Sequence, residues 1–252
     1  MIQAQDLHKS FNGQPVLRGI ELEIRDGEML ALIGRSGAGK SVLLRELMGL
    51  ARPDRGRVLI DGVDVHRSPS PQRKALKERF GVLFQGGALF DSMTVFDNVA
   101  FPLRERYRLE EKEIAERVLQ ELALVDLMGA QDKYPAEISG GMRKRVALAR
   151  AIIHNPKIVF FDEPTTGLDP ITARSIHQLI HSTHSRLRFT GIIVTHETWG
   201  LFSIVDRVAL LHEGRIAALG TPEELMESRE PVVREFLEAH RGLRRTATQE
   251  GP

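Results

Sequence analysis

Short apolar runs alternate with amphipathic segments along the chain, and this alternation predicts an α/β fold. Residues 28–33, 157–161 and 192–195 are apolar runs bounded by turn or polar residues, which is typical of buried strands. Residues 41–50 and 173–184 are instead predicted to be helices. Strands that alternate with helices usually form a mostly parallel sheet that the helices cover, and we expect that arrangement here.

The N-terminal part of the chain predicts an antiparallel β subdomain. Asn12-Gly13 favours positive φ, so it predicts a hairpin turn between a strand at 7–11 and another at 16–22. Further strands are expected at 57–60 and 80–84. Together with the helix at 41–50, these strands are expected to form one part of a larger core.

Residues 86–154 are predicted to form an inserted helical subdomain. The segment 109–122 has the pattern of an amphipathic helix. Pro102, Pro135 and the Gly86-Gly87 pair are expected to break the insertion into pieces. The predicted organisation is a core at 1–85 and 155–230, the insertion at 86–154, and a C-terminal helix and tail at 231–252.

Composition excludes several classes of function. The 252 residues carry 35 Lys and Arg against 34 Asp and Glu, so no net field recruits nucleic acid or anionic lipid. The absence of cysteine excludes disulfides and thiol catalysis. The N-terminus lacks the pattern of a signal peptide, and no apolar run approaches the roughly 20 residues that span a bilayer. The chain by itself is therefore expected to be soluble.

A glycine-rich loop lies between the predicted strand at 28–33 and the predicted helix at 41–50. It reads Gly34-Arg35-Ser36-Gly37-Ala38-Gly39-Lys40-Ser41, with the spacing G-x-x-x-x-G-K-S. Its glycines let backbone N–H groups turn toward a phosphate, and the helix N-terminus adds a favourable dipole. Lys40 is expected to neutralise the β- and γ-phosphates of a nucleotide, and Ser41 to bind Mg²⁺. The alternative is an ordinary surface turn, which the flanking strand and helix disfavour.

Three polar side chains follow buried strands and suit phosphate chemistry. Asp162 is expected near Mg²⁺, and Glu163 could deprotonate an attacking water as a general base. His196 could donate a hydrogen bond to a γ-phosphate. The alternatives are acidic turn residues and a histidine that faces solvent. A zinc protease is excluded because Gly200 stands where the second histidine of that motif would follow His196-Glu197.

A second loop, Ser139-Gly140-Gly141, begins a basic helix but is an incomplete nucleotide site. It has no P-loop lysine and no magnesium-binding hydroxyl in the same arrangement. By itself it fits an ordinary serine N-cap followed by flexible glycines. One bound nucleotide needs only the first loop, so another copy of the chain is one possible source of a phosphate for the second.

With these motifs in order, the chain resembles the nucleotide-binding subunit of ABC transporters from about residue 2 to 225. The matching positions include Phe11 for the aromatic that stacks on adenine, Gln85 for the Q-loop glutamine, 138–142 for the LSGGQ signature, Asp169 in the D-loop, and His196 for the switch histidine. The resemblance implies that the chain hydrolyses ATP with Mg²⁺. It implies catalytic roles for Lys40, Gln85, Glu163 and His196, and metal binding by Ser41, Gln85 and Asp162.

The same resemblance explains the incomplete loop. Subunits of this family pack head to tail, which implies that Ser139-Gly140-Gly141 of one copy contacts the γ-phosphate held by Lys40 of the other. The signature departs from the family pattern at Ile138, in place of Leu, and at Met142, in place of Gln. Because methionine cannot hydrogen-bond as glutamine does, the resemblance assigns no polar role to Met142.

Residues 81–105 and Met142 resemble one subgroup more closely, the Mla-type, MCE-associated lipid transporters. That resemblance implies a subunit at the cytoplasmic face of the bacterial inner membrane. It also implies a permease, a periplasmic MCE-domain protein and a small STAS-domain subunit as partners. The function it implies for the complex is phospholipid transport between inner and outer membranes, which maintains outer-membrane lipid asymmetry.

An apolar set near the Q-loop is the expected contact with the permease. It comprises Leu89, Phe90, Met93, Val95 and Phe96. The alternative is that these side chains fill the core of the helical insertion. The C-terminal segment 231–252 is expected to dock on a partner or second copy, or else to be a frayed terminus.

Two other functional classes fit the sequence less well than a transporter. A soluble ABC protein that acts on ribosomes or DNA usually carries two cassettes or a long coiled coil, and this chain has neither feature. A regulatory module without ATPase chemistry conflicts with the intact Lys40, Ser41, Asp162, Glu163 and His196. His177, His181 and His184 have the spacing of one helix face and could form a metal site, but no cysteine or nearby carboxylate completes it, so a solvated helix face is expected.

Overall fold

The computed structural model describes residues 1–198 and 200–247. Side chains are described for residues 1–198 and 200–239. The strands are β1 (Ile2–Phe11), β2 (Gln14–Ile24), β3 (Met29–Ile33), β4 (Arg55–Ile60), β5 (Val63–Asp64), β6 (Phe80–Leu83), β7 (Ile158–Asp162), β8 (Thr190–Thr195), β9 (Arg207–His212) and β10 (Arg215–Gly220). The helices are α1 (Lys40–Leu47), α2 (Ser70–Lys77), α3 (Val95–Arg106), α4 (Glu111–Leu124), α5 (Gly140–Ile152), α6 (Pro170–Leu187), α7 (Pro222–Glu227) and α8 (Pro231–Ala247). No helix in the described ranges is long and apolar enough to cross a membrane.

The chain forms two compact units. Unit 1 combines Met1–Pro69 with Val194–Pro252, and unit 2 is Ser70–Ile193, so one division falls inside β8. The organisation predicted from the sequence, with boundaries at 85/86 and 154/155, stays a prediction.

Unit 1 contains the predicted antiparallel sheet, in the order β2-β1-β4-β5. Asn12 and Gly13 adopt φ values of 50° and 78° in the turn between β1 and β2, which confirms the predicted hairpin. Unit 1 also contains β10-β9-β3, in which β3 and β9 pair in parallel and β9 and β10 pair antiparallel. A partly buried ion pair between Arg207 and the buried Glu28 (3.0 Å) lies beside the start of β3.

Unit 2 contains the strand order β8-β7-β6, with β6 and β7 parallel. Gly81 of β6 passes against the main-chain oxygen of Ala151 in α5, where a Cβ atom would not fit. The glycine therefore lets strand and helix approach closely. With parallel strands, helices and a separate antiparallel sheet, the α/β prediction is confirmed.

The helical part of unit 2 has its own hydrophobic cluster. Its fully or nearly fully buried members come from α3, α4, α5 and the segments beside them, and they include Val95, Val99, Leu103, Ile114, Val118, Leu122 and Val146. Met142 packs against this cluster as a partly buried side chain. The helical character predicted for 86–154 is therefore confirmed, and the cluster explains what holds these helices together.

One local prediction was wrong, and helix α2 was not predicted. Pro102 was expected to break the helical segment, but it lies inside α3. Proline in a helix costs about 3 kcal/mol, and the burial of Val99, Ala100 and Leu103 on the same helix offsets that cost. The sequence reading also missed α2 at Ser70–Lys77, whose eight residues include only one buried side chain, Leu76.

Asn98 clamps the segment that leads into α3. Its side chain is fully buried, its Oδ1 accepts from the Phe90 amide (2.8 Å), and its Nδ2 donates to the main-chain oxygens of Phe90, Met93 and Thr94 (3.1, 3.1 and 3.0 Å). One side chain thus replaces the backbone pairing that this irregular segment lacks.

Asn98→Asp should destabilise the protein by about 2–4 kcal/mol, because a carboxylate cannot donate to the three main-chain oxygens that Asn98 serves. Urea unfolding measures this difference, and Asn155→Asp at an exposed position is the control. Equal stability of N98D and N155D would show that the clamp contributes nothing.

Candidate nucleotide site

The glycine-rich loop of unit 1 lies between β3 and α1, as predicted. Gly34, Gly37 and Gly39 adopt φ values of 153°, 79° and 104°, which residues with a Cβ rarely adopt. Gly34 also passes so close to the main-chain oxygen of Leu211 in β9 that a Cβ would clash with it. Both the turn and its fit against the sheet therefore require glycine.

Lys40 lies inside the concave side of this loop. Its side chain is 6% exposed, and its ammonium donates to the main-chain oxygens of Gly34 (2.8 Å) and Arg35 (3.1 Å). The loop thus surrounds a fixed positive charge with backbone, which is suitable for binding phosphate groups.

The N-terminus of α1 also suits an anion. The helix begins after Gly39, no side chain caps its first amides, and its first turn carries no acidic residue. Its first N–H groups and the positive end of the helix dipole therefore face the loop without a side-chain acceptor. The residues present fit a bound phosphate.

Other predicted residues of unit 1 occupy suitable positions. Phe11 ends β1 with its side chain 50% exposed, so its ring can stack on a base. The ammonium of Lys9 lies 5.5 Å from the centre of that ring. Ser41 is half-buried at the start of α1, and His196 is half-buried just after β8.

One ion pair at this loop was not foreseen. Arg35 Nη2 donates to Glu235 Oε1 of α8 over 2.7 Å. Both side chains are more than half exposed, so the pair contributes little stability. The two residues are 200 positions apart, so no local sequence pattern could have predicted the pair.

The predicted C-terminal helix is confirmed as α8, where Val233 and Phe236 are buried. Residues 248–252 of the predicted tail lie outside the described residues.

In unit 2, Asp162 is the last residue of β7, and Glu163 follows it. Glu163 is buried and adopts φ 51°, a left-handed conformation that costs energy for a side chain with a Cβ. Thr166 Oγ1 donates to Glu163 Oε2 over 2.8 Å and orients the carboxylate. Left-handed residues held in place by their surroundings are common at functional sites.

Gln85 is exposed just after β6, as expected of a residue that meets a ligand. Its main-chain oxygen accepts a hydrogen bond from the ammonium of Lys144 on α5. The same ammonium donates to the main-chain oxygen of Glu163 (3.1 Å). Lys144 was not among the predicted site residues. Its partners are 59 and 19 positions away, so no local pattern indicates these contacts.

The second loop begins α5. Ser139 is the N-cap, and its Oγ accepts from the Met142 amide over 3.2 Å. Gly141 cannot carry a Cβ without displacing Thr172, because the added atom would lie 2.7 Å from Thr172 Cγ2, whereas a Cβ on Gly140 would meet only ordinary contacts. Ser139 therefore caps α5 as the serine N-cap alternative predicted, and it is also exposed. Met142 has a packing role on the helical cluster instead of a polar one.

Asp169 has a clear structural role in addition to the predicted one. It is the N-cap of α6, and its Oδ1 accepts from the amides of Ile171 and Thr172 (3.0 Å each). Hydrogen bonds from Thr172 hold the pKa of the Asp169 carboxyl below its usual range.

The apolar set near the Q-loop divides into buried and accessible members. Val95 is fully buried in the helical cluster, so its predicted contact with a permease is wrong. Leu89 and Phe96 are partly buried against the same cluster. Phe90 is 41% exposed and packs on Phe101 with a centroid separation of 4.8 Å, so it remains accessible.

The histidines of α6 do not share a solvated face. His177 is buried, and burial lowers the pKa of its imidazole to about 4. His181 is exposed, and His184 packs edge-on against Phe189 at 5.2 Å. The prediction of a solvated face is therefore wrong for His177, because α6 turns that position toward the interior.

Glu46, on α1, is a buried acid without a visible partner. Its side chain is fully buried, and neither carboxyl oxygen has a hydrogen-bond partner among the described residues. Burial raises the pKa of its carboxyl to about 7; the charge of Lys9 lowers this pKa and that of Asp54 raises it. The helix that begins at the phosphate loop thus holds a neutral acid at mildly acidic pH.

The fold and the glycine-rich loop are those of a P-loop nucleotide-binding protein. The chain belongs to the ABC transporter ATP-binding family, since the family model described as "ABC transporter" matches residues 17–166. Those residues include the phosphate loop, the second loop and the end of β7. Membership of this family implies ATP hydrolysis.

Curated relatives and solved structures resemble the chain over most of its length. It is 44% identical over 240 residues to a probable ribonucleotide transport ATP-binding protein, mkl, of Mycobacterium leprae, covering 95% of this chain and 69% of that protein. It is 38% identical over 237 residues to the intermembrane phospholipid transport system ATP-binding protein MlaF of Haemophilus influenzae, covering 94% and 90%. A dimeric, post-hydrolysis structure of the ATP-binding cassette MJ0796 with ADP and Pi superposes with TM-score 0.79 at 28% identity, covering 88% and 98%.

Glu46→Gln should change stability in a pH-dependent way. The folded protein keeps a proton on Glu46 up to pH about 7, whereas the unfolded chain, with the ordinary value of 4.5, releases it earlier. The protonated acid's contribution to stability is therefore complete below pH 4.5 and is lost as the pH rises through about 7. We expect E46Q to match wild type near pH 5 and to exceed it by about 1–2 kcal/mol near pH 8.

Urea unfolding at the two pH values measures the effect, and Glu23→Gln at an exposed position of β2 is the control. An E46Q stability difference that does not change between the two pH values would contradict this account.

Proposed function

We propose that this chain is the ATP-hydrolysing subunit of an ABC transporter that moves phospholipid between the inner and outer membranes. The observation that carries the ATPase part is the phosphate loop, where Lys40 lies in a cradle of backbone beside the uncapped start of α1. The lipid part is supported by the likeness to the intermembrane phospholipid transport ATPase.

The first loop would hold the β- and γ-phosphates of ATP. Backbone N–H groups of Gly37 and Gly39 and the N-terminus of α1 bind their oxygens, and Lys40 neutralises their charge. Ser41, Gln85 and Asp162 would hold Mg²⁺, which neutralises phosphate charge when bound. Phe11 stacks on the adenine, and Arg35, Ser36 and Ala38 complete the loop around the phosphates.

Glu163 acts as the general base in the proposed reaction. The carboxylate accepts a proton from water while the water oxygen bonds to the γ-phosphorus, and the bond from that phosphorus to the ADP oxygen breaks. The products are ADP and inorganic phosphate. His196 donates a hydrogen bond to the γ-phosphate, and Thr166 keeps the Glu163 carboxylate oriented.

A second copy completes the site. Ser139, Gly140 and Gly141 of one copy contact the γ-phosphate held by Lys40 of the other, and Asp169 lies at the same interface. The exposed Ser139 and the accessible Gly140 at the start of α5 support this role, as does the dimeric state of the similar cassette with ADP and Pi. ATP then closes the dimer, and hydrolysis opens it.

The proposed partners place this work at a membrane. A permease subunit receives the motion through the region around Phe90, a periplasmic MCE-domain protein carries the lipid onward, and a small STAS-domain subunit joins the complex at the cytoplasmic face of the inner membrane. The mycobacterial relative, described as a ribonucleotide transport protein, makes ribonucleotide the second candidate cargo.

Two substitutions separate binding from hydrolysis. Lys40→Ala should abolish ATP binding, because the loop loses its only buried ammonium among the described side chains that contact it. Glu163→Gln should keep ATP binding within about twofold and lower kcat by about a thousandfold or more. Nucleotide-binding titrations and phosphate-release assays measure the two quantities. Normal turnover in E163Q would remove Glu163 as the base, and normal turnover in K40A would refute the ATPase site.

The cargo is tested with the complex purified from detergent-solubilised membranes and placed in phospholipid vesicles. We expect ATP-dependent movement of fluorescent phospholipid, which stops with K40A. ATP-dependent uptake of labelled ribonucleotide without lipid movement would replace the proposed cargo. Co-purification of ribosomes or DNA in place of membrane proteins would overturn the transporter proposal.

A further inference from the structure

The ammonium of Lys144 joins two loops of unit 2 that carry proposed catalytic residues. Lys144 lies on the second turn of α5, and its side chain is only 6% exposed. Its ammonium donates to the main-chain oxygens of Gln85 and Glu163. A buried ammonium requires oxygen acceptors, so the conformations of both loops and the burial of this charge depend on one another.

The main-chain oxygen of Glu163 belongs to a strained residue. Glu163 adopts φ 51°, and such conformations persist only where surrounding contacts hold them. The contact from Thr166 holds its side chain, whereas the contact from Lys144 holds its main chain. Lys144 therefore fixes the main-chain position of Glu163, and this position determines where the Glu163 carboxylate can lie.

A second cation on α5, Arg150, also donates to main-chain oxygens, here in the segment that follows Gln85. Arg150 donates to the main-chain oxygens of Gly87 (2.6 Å) and Ala88 (2.8 Å), and Ala88 is another left-handed residue, with φ 46°. Two cations of one helix thus each hold a left-handed, non-glycine residue by its carbonyl. This repetition indicates that α5 serves as a template for both loops.

We infer that Lys144 is a positioning residue for ATP hydrolysis, which aligns the backbone of Glu163 and Gln85 through α5, the helix that begins with Ser139. The inference rests on the proposed roles of Glu163 and Gln85. Because Lys144 acts through the backbone of these residues and not through the nucleotide itself, its loss affects the chemical step more than ATP binding.

The variants Lys144→Met, Lys144→Arg and Arg145→Met of the full chain test the inference. Methionine keeps most of the apolar stem and removes the donors, whereas arginine restores them. Arg145 is the matched control, since it lies on the same helix but donates to Val125, Asp126 and Ser175. The active concentration of each variant is set by titration with a non-hydrolysable ATP analogue.

We expect K144M to lower kcat about tenfold or more per binding site, while KM for ATP and analogue affinity stay within about twofold. K144R should recover kcat to within about threefold of wild type, and R145M should stay within about twofold. A purely stabilising role predicts instead a lower melting temperature with unchanged kcat per binding site. That result, or a K144R variant as slow as K144M, would overturn the inference.

Glu163→Gln in the same experiment separates this inference from the proposed function. If E163Q is inactive and K144M is normal, the positioning role alone fails. If E163Q is fully active, Glu163 is not the base, and the inference falls with the proposed function. Should K144M not fold, Lys144→Ala, which also removes the donors, decides the question: reduced kcat with recovery in K144R supports the inference, and wild-type kcat in K144A overturns it.

Discussion

The arrangement of the loops in unit 2 depends on satisfying a buried positive charge. Lys144 is nearly inaccessible to water, so its ammonium must be surrounded by oxygen atoms if the chain is to fold. Two of those atoms belong to the main chain of Gln85 and Glu163. The interaction that satisfies this charge thus also fixes a backbone conformation that an isolated turn would avoid. In the proposed site, burial of the charge and the position of the proposed general base depend on the same contact.

The two loops solve the problem of binding phosphate in different ways. In unit 1 the loop encloses Lys40, and the start of α1 lacks a side-chain cap, so this loop has both the charge and the amides for a phosphate chain. In unit 2 the start of α5 is already capped by Ser139, and the loop presents an exposed surface instead of a cradle. The first loop suits capture of a nucleotide, whereas the second suits contact with a nucleotide held elsewhere. This difference is the physical basis for proposing a site shared between two copies.

The features that the sequence predicted well are those defined by neighbouring residues. The Asn12-Gly13 turn, the phosphate loop and the polar ends of β7 and β8 follow from local rules of backbone geometry. The failures concern packing between distant segments: Val95 and His177 turn inward, and Pro102 is tolerated because its helix is well packed. The contacts of Lys144 join positions far apart in the chain. No periodicity or motif could show them, because their partners are main-chain atoms that every residue possesses.

Cross-linking decides whether the two loops form one site between two copies, as proposed. The chain has no cysteine, so Ser36→Cys in one preparation and Ser139→Cys in another introduce the only thiols. Each is combined with Glu163→Gln to prevent turnover, and the two are mixed under mild oxidation. The account predicts a covalent dimer that requires ATP and contains one chain of each kind. Absence of that mixed dimer with ATP, when both chains bind the nucleotide, would contradict the account.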